Sequence, residues 1–166
     1  MNVVFRVVIP ARHASTRLPG KPLLLLADEP MILHVHRLAL RSGSAEVIVA
    51  TDDERIRLAC SAAGAAVEMT AERHVSGTDR IAEVAQRRGW ADGDIVVNVQ
   101  GDEPLLPPAL IGQAAALLAA SPAASIATLA TPITSEPDYL DPNVVKVVAR
   151  ADGIALYFSR APVPWD

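Results

Sequence analysis

Apolar runs broken by polar residues, glycine or proline alternate along most of the chain. The first run, Val3 to Ile9, is rich in β-branched residues and predicts a strand, after which a polar stretch continues to Pro22. Further strands are predicted at 46–50, 65–69 and 94–99, and helices at 30–42, 54–63, 78–88 and 107–120. Strands rich in Val and Ile that alternate with helices indicate a parallel sheet covered on both faces. The predicted fold class is α/β, with a doubly wound, mostly parallel sheet.

The alternation ends after residue 131, where two apolar runs are separated by Ala-Asp-Gly. Val144 to Arg150 and Ile154 to Ser159 flank this turn, which predicts a C-terminal antiparallel hairpin. A chain of 166 residues suits one ordinary domain. We therefore expect a single domain with one core over residues 1–166.

Polar residues gather where each predicted strand ends. The clusters are PARHASTRLPGKPL at 10–23, TDDER at 51–55, HVSGTDR at 74–80 and QGDEP at 100–104. In an open parallel sheet, ligands bind beyond the carboxyl ends of the strands because the loops converge there. We therefore expect these four clusters to form a ligand site on one rim of the sheet.

Composition narrows the class of protein. The formal net charge of −4 argues against nucleic-acid or membrane partners, which favour basic surfaces, but local cations can still bind a small anion. No apolar run approaches the ~20 residues of a membrane-spanning helix, and the start does not resemble a signal peptide, so we expect a cytoplasmic protein. The lone Cys60 shares an apolar helical stripe with Ile56, which favours core packing over a nucleophile.

The first cluster combines three cations with two hydroxyls and a glycine: Arg12, Arg17, Lys21, Ser15, Thr16 and Gly20. Fixed cations neutralise phosphates, and glycine lets the backbone approach a ligand closely. This pattern predicts a triphosphate cradle, with a solvated surface loop as the alternative. The segment matches neither the P-loop nor the dinucleotide-binding fingerprint, which argues against both of those classes.

Asp102 follows Gly101 at the end of a predicted strand, where a carboxylate could hold Mg²⁺ beside phosphates. A simple turn aspartate is the alternative, and Glu103, which precedes a proline, ranks below Asp102 as a ligand. His13 and His74 are isolated from other histidines and cysteines, which argues against a zinc site.

The start of the third helix carries Ser76, Gly77 and Thr78, which could donate hydrogen bonds to a nucleotide. Thr78 as a helix cap explains part of this pattern without any ligand. Both interpretations stay open at the level of sequence.

Six segments together resemble one known family, the 3-deoxy-manno-octulosonate (Kdo) cytidylyltransferases, also called CMP-Kdo synthetases. They are PARHASTRLPGKPL, ATDDERI, HVSGTDRIAEV, VNVQGDEPLL, DPNVVKVV and ALYFSRAPVPWD, in this order and spread over nearly the whole chain. The resemblance implies a Rossmann-like nucleotidyltransferase fold. It also implies transfer of CMP from CTP to Kdo with release of pyrophosphate, for lipopolysaccharide biosynthesis and with Mg²⁺ as cofactor.

The resemblance also implies roles for particular residues. Arg12, Lys21 and Asp102 would be catalytic, with Asp102 as the metal ligand, and Gln100 and Arg160 would contact Kdo. The implied nucleotide-binding residues are Pro10, Ala11, Arg12, Ser15, Lys21, Thr51, Asp52, Ser76, Gly77, Thr78, Arg80, Gln100 and Gly101. His13 stands where family members often carry an aromatic residue, which leaves its role open.

Family members continue beyond the PWD segment into a region that resembles a sugar-binding and dimerising part, with an acidic residue for a second metal. We therefore expect this chain to be part of a longer enzyme that forms a homodimer, with a natural short form whose missing site is supplied otherwise as the alternative. By itself the chain is expected to bind CTP weakly and to turn over Kdo poorly. Two alternatives stay open: a nucleotidyltransferase for another substrate, such as sialate or a neutral sugar phosphate, and a noncatalytic nucleotide-binding module.

Overall fold

The computed structural model describes residues 3–14 and 18–164. In chain order the elements are β1 (Phe5–Ala11), a 3₁₀ helix (Lys21–Leu23), β2 (Leu25–Leu26), β3 (Glu29–Pro30), α1 (Met31–Leu40), β4 (Glu46–Thr51), α2 (Glu54–Ala62), β5 (Ala66–Met69), α3 (Gly77–Arg87), β6 (Ile95–Asn98), α4 (Pro108–Ala119), α5 (Glu136–Leu140), β7 (Lys146–Ala149) and β8 (Ala155–Ser159). None of the described helices is long and apolar enough to cross a membrane.

Four parallel strands form the main sheet in the order β5–β4–β1–β6. At its centre, Val7 of β1 stands opposite Val47 of β4 and Val97 of β6. Helices cover both faces of this sheet, because core residues of the helices pack against each face. The predicted doubly wound, mostly parallel α/β fold is confirmed.

Side chains alternate between the two faces of the sheet, because successive residues of a strand point in opposite directions. On one face Val7 and Ile9 pack with the buried residues of α1, α2 and α4. On the other face Val8 packs with Ile81 and Val84 of α3. Two hydrophobic layers therefore hold the sheet between its helices.

β1 continues through Pro10 to Ala11, two residues beyond the predicted end of the strand. A proline inside a central strand normally removes a hydrogen bond from the sheet. Here the Val8 carbonyl accepts from Val99 N at 3.1 Å, so the backbone polar groups of Val8 face β6. Backbone direction repeats every two residues in a strand, so those of Pro10 face the same side. The β6 pairing covers only Phe5 to Val8, so the missing N–H of Pro10 lies beyond it.

A small hairpin, β2–β3, follows the first loop and was not predicted. Its turn places Ala27 and Asp28 at positive φ. Glycine and asparagine are the residues that usually mark such a turn, so this pair of residues only weakly predicts a hairpin. His34 Nε2 donates to the Leu26 carbonyl at 2.8 Å, and Arg37 pairs with Glu29. These two side chains of α1 therefore fasten the hairpin to the helix.

The chain divides into two compact units, Met1–Pro122 and Ala123–Asp166. The second unit contains α5 and the predicted hairpin, now observed as the antiparallel pair β7–β8. Within it, Lys146 is buried and its Nζ donates to the Asp141 carbonyl at 2.6 Å. The hydrophobic layers described above belong to the first unit.

Candidate functional site

The strand order of the main sheet reverses beside β1, because β4 and β5 lie on one side of it and β6 on the other. Open α/β sheets bind ligands in the crevice at such a reversal, beyond the carboxyl ends of the strands. A pocket opens at this place, lined by Pro10, Ala11, Arg12, Lys21, Pro22, Gly77, Arg80, Gln100, Gly101 and Asp102. Except for Pro22, each lining residue is one that the sequence predicted for the site.

Two glycines let the loops around the pocket approach each other. A Cβ on Gly101 would lie 3.1 Å from both the Pro10 carbonyl oxygen and Ile32 Cδ1, and one on Gly77 would lie 3.1 Å from Pro10 Cγ. Contacts this short force the neighbouring atoms to move. The loops after β1 and β6 and the start of α3 therefore pack closely only because both positions are glycine.

Arg12 is held by the backbone of the loop before α3. Its guanidinium donates to the carbonyl oxygens of His74 at 3.1 Å and Val75 at 3.4 Å. That loop is fastened in turn to α3, since Glu83 accepts from Ala71 N at 3.0 Å and pairs with His74. The backbone N–H of Ala71 and, next, His74 lower the pKa of the Glu83 carboxyl below its usual range. Arg12 is thus oriented by a loop with its own anchor.

Lys21 and Asp102, which were predicted to bind phosphate and metal respectively, contact each other. Lys21 Nζ donates to Asp102 Oδ2 at 2.6 Å, and both side chains are partly exposed to solvent. Exposed ion pairs of this kind contribute about 0–1 kcal/mol, so the pair is easily exchanged for other partners. Lys21 and Asp102 therefore place an exchangeable cation next to a carboxylate in the lining of the pocket.

Mg²⁺ suits this carboxylate, because the ion typically takes one or two protein carboxylates and completes its shell with water and phosphate oxygens. Asp102 is exposed. Among the described residues, only Lys21 donates to its carboxylate, and that pair is easily exchanged. In the described ranges, 3–14 and 18–164, no group of three or more His, Cys, Asp or Glu side chains is placed to hold a metal by itself. Asp102 is thus a single carboxylate that could hold Mg²⁺.

Arg80 forms the back wall of the pocket and is fully buried. Its guanidinium pairs with Asp52 and donates to the hydroxyl of Thr70, while its Nε has no hydrogen-bond partner among the described residues. A buried donor without an acceptor costs about 1–3 kcal/mol. The pocket wall thus contains a buried cation that two partners hold in place.

Ser76 caps α3, which corrects the expectation that Thr78 does so. The Ser76 hydroxyl accepts from Asp79 N at 3.1 Å, and the Asp79 carboxylate accepts from Ser76 N at 3.2 Å. This reciprocal pair is a capping box, favoured because it satisfies two backbone N–H groups at once. Thr78 lies inside the first turn of the helix and is exposed.

Several predicted nucleotide-binding residues do not line the pocket. Thr51 is fully buried, because β4 continues through it, and its hydroxyl accepts from Asp53 N at 3.2 Å. Asp52 faces Arg80, and the hydroxyl of Ser76 is engaged in the cap. Ser15 lies outside the described residues, as do Thr16 and Arg17.

The predicted sugar-binding residues differ in placement. Gln100 lines the pocket, and its Nε2 donates to Asn98 Oδ1 at 2.6 Å. Arg160 belongs to the second unit, where it donates to the Pro142 carbonyl at 2.7 Å. His13, whose role the sequence left open, packs against Gly20, whose backbone N donates to the His13 carbonyl at 2.9 Å.

Sequence reasoning missed Thr70 and the carbonyl groups that hold Arg12, and it included Pro22 only as part of the first cluster. Thr70 directly follows β5, so the rule that polar residues at strand ends form the site could have found it. Pro22 is apolar, and backbone carbonyls carry no signature of residue type. Nothing in the sequence indicates that the Pro22 side chain or these carbonyl groups take part.

A protein-family model described as cytidylyltransferase matches residues 6–166. This match covers nearly the whole chain, including every segment that lines the pocket. The chain belongs to the cytidylyltransferase family. Individual relatives of this cytidylyltransferase confirm the predicted resemblance to the Kdo cytidylyltransferases.

The 3-deoxy-manno-octulosonate cytidylyltransferase of Thioalkalivibrio sulfidiphilus (strain HL-EbGR7) is 59% identical over 98% of this chain and 65% of its own length. The enzyme of the same name from Halorhodospira halophila (strain DSM 244 / SL1) is 57% identical over 98% of this chain and 63% of its own. A solved CMP:2-keto-3-deoxy-manno-octonic acid synthetase complexed with CTP superposes with a TM-score of 0.85, at 41% identity over 98% of this chain and 66% of that one. The chain thus spans somewhat less than two thirds of the length of these relatives.

Proposed function

We propose that the protein containing this chain transfers CMP from CTP to 3-deoxy-manno-octulosonate, giving CMP-Kdo and pyrophosphate. One observation carries the proposal: Arg12, Lys21 and Asp102 line the same pocket, at the strand-order reversal of a chain that belongs to the cytidylyltransferase family. The identity of the sugar is supported by relatives named for this reaction at 57–59% identity. A panel of sugar acids, with sialate included, tests that choice.

The cations of the pocket would bind the triphosphate. A unit charge near 4 Å from a phosphate oxygen gains roughly 4 kcal/mol at an effective dielectric of about 20, before desolvation is subtracted. The exposed Lys21–Asp102 pair contributes only about 0–1 kcal/mol net, and a triphosphate carries more negative charge than one carboxylate, so Lys21 would leave Asp102 for phosphate. The exchange frees the Asp102 carboxylate when a nucleotide is present.

In the reaction, the anomeric hydroxyl oxygen of the sugar forms a bond to the α-phosphorus of CTP, and the bond from that phosphorus to the bridging oxygen of pyrophosphate breaks. Arg12 and Lys21 would neutralise charge on the departing pyrophosphate. Asp102 would hold Mg²⁺, which supplies further charge neutralisation and favours loss of the hydroxyl proton. Gln100 would position the sugar, and the chain would act mainly by aligning the reactants.

The remaining features of the proposal concern the whole protein. Arg160 as a Kdo contact, the homodimer and the cytoplasmic location stay predictions. The proposed nucleotide contacts of Ser15, Thr51, Ser76 and Thr78 also stay predictions. A noncatalytic nucleotide-binding module is the alternative, and it would bind CTP without forming product.

The experiment is calorimetric titration of the 166-residue chain with CTP in Mg²⁺ and in EDTA. We expect Mg²⁺ to tighten CTP binding by about tenfold, since Asp102 would hold the ion and the ion would neutralise charge on the nucleotide. Asp102→Ala should remove this Mg²⁺ dependence and abolish any pyrophosphate release in the presence of Kdo, while circular dichroism stays unchanged.

Glu103→Ala is the matched control, because Glu103 is the adjacent exposed carboxylate and does not line the pocket. It should keep the Mg²⁺ dependence of the parent chain. Equal Mg²⁺ dependence in the Asp102→Ala variant and the parent would overturn the metal assignment, and absence of CTP binding by the parent would overturn the function.

A further inference from the structure

Arg80 is a fully buried cation at the wall of the nucleotide pocket. Arginine is always charged and carries five N–H donors in a rigid planar fork, so its direction depends on which acceptors surround it. Among the described residues, the acceptors that the structure provides are the Asp52 carboxylate and the Thr70 hydroxyl. These two groups therefore determine the orientation of the guanidinium.

The hydroxyl of Thr70 can act only as an acceptor toward Arg80. Thr70 Oγ1 donates its own proton to the Thr51 carbonyl at 3.2 Å, and Thr70 N donates to the same oxygen at 2.8 Å. The side chain is thus fixed at the end of β5 against the end of β4, with its lone pairs left for the guanidinium. The sheet itself supplies one of the two points that hold Arg80.

Asp52 supplies the second point, and its neighbour Asp53 has a different task. Asp53 Oδ1 accepts from Arg55 N at 2.9 Å as the cap of α2, and its carboxylate pairs with the Arg55 side chain. Asp52, by contrast, turns toward Arg80 and is only slightly exposed. Two adjacent aspartates in one turn therefore serve two separate structures.

With two of its nitrogens engaged, Arg80 keeps a buried Nε–H for which the described part of the chain provides no acceptor. Resting on the function proposed above, we infer that Asp52 and Thr70 are positioning residues, which fix Arg80 in the pocket wall and so keep the wall in the shape that CTP binding requires. Asp52 then acts on the nucleotide through Arg80 and makes no contact with it.

A double-mutant cycle on the 166-residue chain tests this inference, with Mg²⁺–CTP affinity measured by calorimetry. Asp52→Asn removes the charge at constant shape and should weaken CTP binding by roughly tenfold. Arg80→Lys keeps the charge but loses the planar fork, and should weaken binding to a similar extent. In the Arg80→Lys background, Asp52→Asn should change affinity by less than about twofold, because the group through which it acts is gone.

Controls separate positioning from a loss of folding. Asp53→Asn alters the neighbouring carboxylate and should leave CTP affinity unchanged. Thr70→Val should weaken binding and Thr70→Ser should restore it, since serine keeps the acceptor. The Thr70 pair also tests the inference if Asp52→Asn does not fold.

Two results would overturn the inference while leaving the proposed function intact. The first is a full additional tenfold loss from Asp52→Asn in the Arg80→Lys background, which would make Asp52 an independent contact. The second is parental CTP affinity in Thr70→Val. Failure of the parent chain to bind CTP would instead overturn the proposed function, and the inference with it.

Discussion

Gly101 illustrates how a single residue shapes the site. It lies between Pro10 and Asp102, so the loop that carries the proposed metal ligand passes directly over the end of β1. The neighbour on one side is a backbone carbonyl oxygen, which cannot rotate away as a flexible side chain could. A side chain at this position must therefore displace the loop or the strand.

We expect Gly101→Ala to destabilise the fold by about 1–3 kcal/mol and to weaken CTP binding, because its methyl group overpacks the contact with Pro10. Urea denaturation and calorimetry measure the two effects. Gly93→Ala is the control, since a Cβ there would meet nothing within 4 Å. Equal stability of the two variants would show that the loop after β6 is free to move.

At the scale of elements, the start of α3 combines structural and functional roles. Ser76 and Asp79 close the capping box, Gly77 allows contact with Pro10, and Arg80 reaches the pocket wall. The sequence pattern located this helix correctly but assigned the cap to Thr78. Both residues are good caps by type, and the reciprocal bond with Asp79 is what favours Ser76.

Ser76→Ala should lower the free energy of unfolding by about 1 kcal/mol, because a backbone N–H at the helix end loses its acceptor. Thr78→Ala should change it by no more than about 0.5 kcal/mol, since Thr78 is an exposed helix position. Chemical denaturation of both variants provides the comparison. A larger loss in Thr78→Ala than in Ser76→Ala would contradict the capping box.

At the scale of the whole molecule, stability depends on pH through buried groups. Burial lowers the pKa of His36, a nearly buried residue of α1. Its folded-state pKa therefore lies below the unfolded value of roughly 6.5, and the unfolded chain takes up the proton first as pH falls. Burial also raises the pKa of the Cys60 thiol to about 11, which keeps it protonated and agrees with the predicted role in core packing.

We expect the free energy of unfolding to decrease as pH falls from 7 through roughly 6.5 toward the lower folded-state pKa of His36. His36→Leu should flatten this part of the profile, because no proton is then bound differently by the two states at this position. Denaturation midpoints at several pH values between about 5.5 and 7.5 measure the slope. An unchanged slope in the variant would assign the effect to other groups.

The sequence by itself determined the architecture and the rim on which the site lies. Runs of Val and Ile report burial on both faces of a sheet, and that pattern is local, so β1, β4, β5 and β6 were all located. Because parallel strands end at the same edge, polar residues after each strand could be assigned to one site before any contact was known.

Only the tertiary structure decided which of those residues meet. Lys21 and Asp102 are 81 positions apart and Asp52 and Arg80 are 28 apart, and neither pairing has a local signature. The same holds for the carbonyls that hold Arg12 and for the hairpin β2–β3, whose two-residue strands are too short to show a period. Contacts between side chains from distant segments depend on how the loops pack, and residue type alone does not encode that packing.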